Sequence, residues 1–443
     1  MKITYTKSGL RAVLMVLFLG AAGAGYLSVS TGEDGKVPPA ELHRPTPIPD
    51  RILLTWSGDP ARSQSVTWRT SVGVDSPLAQ IAAAGDGPDF TRDAVKVEAT
   101  SQLLESDLSR ALYHTARFDG LEPDTMYAYR VGDGRNWSEW NQFRTAGAGA
   151  DPLTFLYVGD AQNDIHEHWS RLIRMGFTKA PEADFILHAG DLVNRGSSDA
   201  EWGEWSRAAG WINRCIPSLP VPGNHEYNND GNSGRALSRH WRPQFALPEN
   251  GPPGLEESCY YVDVQGVRIV ALNSNEQREE QARWLDAVLS GNPNRWTVLT
   301  FHHPLFSAAR GRDNKALRER WQPIIDKHQV DLVLQGHDHT YARSNLISGV
   351  NTRAGEHGTV YVVSVSGPKM YHLERAGWMV RAAERTQLFQ VVRIAGDRLS
   401  YEAWTARGLL YDAFELRKRP GKPNQLVNRV PRRPERVDDV SGE

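Results

Sequence analysis

Only two cysteines occur in the 443 residues, Cys215 and Cys259. No Cys-x-x-Cys pair exists, which excludes thiolate zinc sites. Two readings stay open for the pair: a disulfide in an oxidising compartment, or two buried free thiols. An excess of charge of one sign is lacking as well. Lys and Arg total 51 against 53 Asp and Glu, a formal net charge of −2, so no global field draws the chain onto nucleic acid or an anionic membrane. No nucleic-acid-binding surface is expected. A long hydrophobic run is also missing. The one apolar stretch, residues 12–24, is short of the ~20 residues that a membrane helix usually needs.

That stretch follows Lys2, Lys7 and Arg11 and ends in Ala22-Gly23-Ala24, a small-residue cleavage pattern. Residues 1–30 therefore read as a signal peptide, with an uncleaved N-terminal membrane anchor as the rival reading. Both place the bulk of the chain beyond a membrane: periplasmic, secreted, or anchored by the N-terminal segment. The 40 % hydrophobic and 23 % charged composition is that of a soluble globular protein. At this length two or three domains are expected, with a core large enough to hold a deep site.

Residues 31–49, rich in Pro, Gly and charge, read as a linker. Over residues 50–146 the apolar segments are short and alternating, with Gly, Pro and Asp turns between them, which indicates an all-β sandwich. The stretch from Leu121 to Val131 resembles the end of a fibronectin type III domain, with Tyr127 as a corner tyrosine that bonds upstream backbone. Trp56 and Trp68 are expected in that core. From 152 to 415 the pattern changes. Near-continuous apolar runs at 153–158, 185–187, 267–272, 296–301, 330–334 and 360–365 alternate with stretches at helical spacing, such as Trp202, Trp205 and Ala209. Such runs mark strands covered on both faces, hence a layered α/β sandwich with mixed sheets flanked by helices. Residues 416–443 are polar and are expected to form a disordered tail.

Four of these runs, and Val221 as a fifth lead-in, pass into polar clusters: Gly159-Asp160, His188-Ala189-Gly190-Asp191, Gly223-Asn224-His225-Glu226, His302-His303 and Gly336-His337-Asp338-His339. Ligands bind outside the carboxyl ends of strands in open α/β sheets, so the clusters should converge. Any single one could be a turn, a cap or a satisfied core histidine. All five in one chain point to a metal site.

In this motif set the chain resembles the calcineurin-like metallophosphoesterase superfamily, and within it the purple acid phosphatase-like enzymes with an N-terminal fibronectin-like domain. The resemblance implies two metal ions bridged by Asp191, one also bound by Asp160 and His339, the other by Asn224, His302 and His337. Carboxylate, amide and imidazole ligands suit iron, zinc or manganese. Two such ions stabilise the attacking and leaving oxygens of an in-line displacement and acidify a bound water, so that hydroxide is present at neutral pH. His225 matches the family's substrate-side histidine and is expected to contact phosphate and protonate the leaving group, with Glu226 orienting its ring. His303 either faces the phosphate or supports its loop. Arg310 and Arg312, on the loop after His302, read either as substrate contacts or, as the leading reading, as a solvated loop.

Two positions depart from the pattern. Asn194 stands where purple enzymes carry an iron-bound tyrosine, so no tyrosinate colour is expected. Gln162 stands where many members carry a ligand histidine; Gln162 and Asn194 are additional candidate metal ligands through their amides. The leading reading is hydrolysis of small phosphate monoesters. Phosphodiester or nucleotide hydrolysis at the same metals is the nearest alternative. A non-catalytic surface-binding protein is the alternative of another class, and the intact ligand set counts against it.

Overall fold

The computed structural model describes residues 35–229, 235–349 and 357–437. The segment read as a signal or anchor lies outside the described residues, and among these no helix is long and apolar enough to cross a membrane. The described part of the stretch expected as a linker is exposed up to residue 42 and packs onto the body of the protein at His43. It forms a single turn, Pro39–Leu42, and buries His43, whose carbonyl accepts from Arg69 Nη2 at 3.0 Å. Its prolines suit a turn start as well as a tether.

Two four-stranded antiparallel sheets form the N-terminal sandwich. Ser63–Thr70 and Arg110–Asp119 lie at the centre of one, Leu78–Ala83 and Met126–Gly132 at the centre of the other. Trp68, Ile81, Phe118, Tyr129 and Phe143 fill the space between them. The Tyr127 hydroxyl accepts the Glu122 N–H at 2.9 Å, the corner bond expected from sequence. Trp68 is buried in the sandwich core as expected, whereas Trp56 is buried in the core of the layered domain, its ring 5.4 Å from that of Phe185.

Beyond residue 152 two seven-stranded mixed sheets stack face to face. In the first, Leu153–Val158 has Phe185–His188 as its parallel neighbour on one side and Leu388–Ala395 antiparallel on the other. In the second, Val267–Ala271, Trp296–Phe301, Leu332–Gln335 and Thr359–Val363 run parallel in that order. Their residues are buried throughout, which explains the unbroken apolar runs. Helices cover the outer faces. Asp199–Ala209 buries Trp202 and Trp205, and Arg278–Ser290 packs beside Lys315–Lys327 against the second sheet.

The expected disordered tail is corrected by the structure. Leu410–Arg419 and Lys422–Asn428 form an antiparallel hairpin that completes the first sheet at its edge. Tyr411, Phe414 and Leu416 face the core, and Lys418 Nζ and Asn424 Nδ2 each lie 2.5 Å from Asp331 Oδ1. A strand with one wet face carries enough polar residues to resemble a tail by composition. Cys215 and Cys259 are free thiols.

Candidate metal centre

Strand register brings the polar clusters together. Val158 lies opposite His188 in the parallel pair, so the chain leaves both strands at one edge and reaches Asp160 and Asp191 within three residues. In the facing sheet Phe301 lies opposite Gln335, and His302 and His337 follow at once. The two edges meet: the His337 N–H lies 2.9 Å from each Asp160 carboxylate oxygen.

Two groups of ligand atoms result, each with its atoms within 4.8 Å of one another: Asp191, His302 and His337, and Asp160, Asp191 and His339. Asp191 belongs to both. Asn224 Oδ1 lies 3.1 Å from His302 Nε2, which places it with the first group. His302 Nε2 also lies 3.1 Å from Asp191 Oδ2 and 3.2 Å from His337 Nδ1. The six residues read as ligands from sequence thus lie side by side.

Backbone strain concentrates here. Asp160, Asp191, His337 and His339 have φ of 53°, 50°, 75° and 48°, a left-handed conformation that costs roughly 1–3 kcal/mol per residue and persists where surroundings enforce it. Gly223 permits part of this crowding, because a Cβ there would overlap Asp191 Oδ1.

The imidazoles are held by backbone carbonyls. His302 Nδ1 donates to Ala189 O and His339 Nδ1 to Lys369 O, both at 2.9 Å. A carbonyl only accepts, so each Nδ1 carries a proton and Nε2 is the nitrogen left to face a metal. Burial pushes Asp160 well above the usual carboxylate range, and the nearby Asp191 charge adds to it. Burial pushes Asp191 the same way, but the adjoining His302 overcomes it and holds Asp191 well below that range. His302 itself is lowered by burial yet raised more by Asp191, to about 9. Burial lowers His337, and lowers His339 to about 3. Asp191 thus relies on a buried His302 imidazolium for its counter-charge, a role that a divalent cation held by the same carboxylate and imidazole donors would take over.

Gln162 lies inside this set. Its Nε2 is 2.9 Å from Asp191 Oδ2 and 3.0 Å from His339 Nε2, while its Oε1 is buried without a partner. Rotating the amide by 180° would turn the oxygen toward those two ligand atoms. An orphaned buried oxygen beside two ligands fits a cation.

Glu226 departs from expectation. Its oxygens accept the backbone N–H groups of Asp191, Leu192, Val193 and Gly223 at 2.9, 2.8, 3.2 and 2.7 Å. They are committed to stapling two ligand loops together. The His225 ring is oriented by the Asn194 carbonyl instead, 2.6 Å from Nδ1, leaving Nε2 4.0 Å from Asp191 Oδ2. Asn194 therefore enters the site through its backbone, while its side chain lines a neighbouring cleft with Asn163 and Arg195. His303 bonds Ser274 Oγ at 2.8 Å and its ring lies 4.3 Å from that of His337.

Sequence reasoning missed the cations at the rim. Arg235 Nη2 reaches Asn224 O at 2.5 Å, and Lys369 supplies the carbonyl that holds His339. Lys369 follows the buried strand Thr359–Val363 at the same sheet edge as His302, so strand-end position was a usable signal. Arg312 is exposed, as the solvated-loop reading expects, yet its Nη1 lies 3.2 Å from His337 O and its guanidinium covers the Tyr371 ring at 4.6 Å. Arg310 is exposed.

Comparison with known proteins agrees with this geometry. Residues 49–145 match the family model "Purple acid Phosphatase, N-terminal domain", and residues 154–341 match "Calcineurin-like phosphoesterase". Human acid phosphatase type 7 is 27 % identical over 337 residues, covering 68 % of this chain and 72 % of that protein. An uncharacterised protein of Mycobacterium tuberculosis is 26 % identical over 379 residues, 75 % of this chain and 68 % of its own length. The structure of purple acid phosphatase PPD1 from yellow lupin superposes with a TM-score of 0.72 at 19 % identity, over 83 % of this chain and 74 % of that one. PhoD superposes with a TM-score of 0.65 at 15 % identity, over 88 % and 95 %. These two likenesses concern the fold. With its sandwich and its layered domain matched in turn by the two family models, the chain belongs to the calcineurin-like metallophosphoesterases of the purple acid phosphatase-like type.

Proposed function

We propose that the chain is a dinuclear-metal phosphoesterase that hydrolyses phosphate monoesters outside the cytoplasm. The observation that carries this reading is the sharing of Asp191 between two groups of ligand atoms. Asp160, Asp191 and His339 would hold one cation, with the Gln162 amide oxygen as a further donor. Asp191, Asn224, His302 and His337 would hold the other. When bound, such a pair stabilises the attacking and leaving oxygens of an in-line displacement and supplies an acidified water. The mixed donor set suits iron, zinc or manganese.

The remaining work falls to this chain's own groups. In its protonated form His225 keeps Nδ1–H on the Asn194 carbonyl and carries a second proton at Nε2, the one available to the leaving alkoxide. His303, Arg235, Arg312 and Lys369 present positive or donor groups to the phosphoryl oxygens. A monoester dianion gains more from such a rim than a diester monoanion does, which favours monoesters. Asn194 leaves no tyrosinate ligand, so the metal-loaded protein should show no tyrosinate-to-iron absorption band.

Purified protein analysed for metals and assayed on p-nitrophenyl phosphate beside bis-p-nitrophenyl phosphate tests the reading. Two metal equivalents and a higher kcat/KM on the monoester are expected. A large preference for the diester would replace the monoester assignment, and inactivity of fully metallated protein on both would sink the enzymatic one.

A further inference from the structure

Outside the metal centre, one cleft of about 380 Å³ combines several guanidiniums with an apolar floor. Arg171, Arg385, Arg407 and Arg436 line it, with Pro368 and Met370. No Asp or Glu lines it among the described residues. Arg171, Arg407 and Arg436 are exposed at its mouth. Guanidiniums stay charged across the physiological pH range, and their planar forks match pairs of phosphate oxygens. The floor is tied down. Arg171 Nη2 donates to Gln387 Oε1 at 3.1 Å, and Gln387 Nε2 donates to Ser366 O at 2.9 Å.

Residues 366–371 form a wall between this cleft and the metal centre. Pro368 and Met370 face the cleft. Lys369, between them, gives its carbonyl to His339 Nδ1 at 2.9 Å, and the Gly367 N–H donates to Asp160 O at 2.9 Å. The two cavities thus lie on opposite sides of one strap, and an anion in the cleft would not compete with one at the metals.

We propose that this cleft is a second anion site, which takes a compact oligophosphate with two or more phosphoryl groups. An isolated phosphate reaches one or two guanidiniums. Linked phosphoryl groups reach several at once. The site does not depend on which ester the metal centre hydrolyses.

Calorimetric titration of the metal-loaded protein with methylenebisphosphonate, whose bridging carbon resists hydrolysis, tests this. Two binding events are expected, one at the metals and one in the cleft. In the Arg171→Glu/Arg407→Glu variant the second event should vanish or weaken at least tenfold, while kcat on p-nitrophenyl phosphate and the far-UV circular dichroism stay unchanged. Heats from the metal centre are common to both titrations. If the double variant misfolds, Arg407→Gln alone, on an exposed turn, serves the same comparison. A single event in the wild-type protein, or two events of unaltered affinity in the variant, overturns the proposal.

Discussion

Asp191 and His225 stand about one hydrogen-bond shell apart, yet their loss should look different. Asp191 supplies atoms to both ligand groups, so Asp191→Ala removes the one side chain that ties the two halves of the cavity. Loss of both metals and of activity is expected by metal analysis of the dialysed variant; retention of two equivalents would contradict the shared role. The His225 backbone N–H donates to Asp191 Oδ1 at 2.9 Å, but its ring supplies no ligand atom and is held by the Asn194 carbonyl. His225→Ala should therefore keep its metals and lose kcat by about 10²–10⁴, the usual span for a general acid. Unchanged turnover with full metal content would remove His225 from the chemistry. His303→Ala, whose ring is held by Ser274 and lies against His337, should raise KM more than it lowers kcat.

The loops that carry these residues depend on a staple at the scale of the element. Glu226 accepts four backbone N–H groups from two separate ligand loops. Glu226→Gln keeps the shape but turns an NH2 group onto donors, so at least two buried N–H groups lose their acceptor, at a cost of about 1–3 kcal/mol each. Lower stability in urea and weaker metal retention are expected. Intact stability with a selective fall in kcat would instead restore the ring-orienting role that the sequence suggested. That misreading has a physical source. The ligand side chains were legible because each follows a buried strand whose apolar run stands out, as Phe301 precedes His302. The groups that orient them are mostly carbonyls, of Ala189, Lys369 and Asn194, and a carbonyl leaves no mark in a sequence. The same holds for the hairpin of Leu410–Arg419 and Lys422–Asn428, whose outward face is polar and whose inward face appears only once the sheet it completes is known.

Across the whole molecule the two domains are joined by a buried ion cluster. Asp199, the first residue of the helix that carries Trp202, receives Arg51 through both nitrogens at 2.7 and 2.8 Å and Arg69 at 3.2 Å, and both arginines come from the sandwich. Arg51 also donates to Tyr113 at 2.9 Å, while Asp50 pairs with Arg69 at 2.7 Å. The same first turn of the helix holds Glu201, whose carboxylate accepts the N–H groups of Asn194 and Arg195 at 2.7 and 2.8 Å. A chain of bonds therefore runs from the sandwich to the peptide that orients His225. Asp199→Ala leaves the buried Arg51 guanidinium without a carboxylate, while Arg69 keeps Asp50, and should cost about 3–5 kcal/mol. Burial raises the Asp199 carboxyl, but His240 and the two arginines outweigh it and hold it well below the usual range. A depressed folded value stabilises the protein above the unfolded carboxyl pKa of ~3.9, and the gain is lost as pH falls through the folded value. Thermal unfolding of the wild-type protein and of Asp199→Asn, compared from pH 8 downward, should give a constant gap in Tm to about pH 5 and a narrowing gap below ~4. A gap that widens with acid would mean that the cluster does not join the domains through an ionised Asp199.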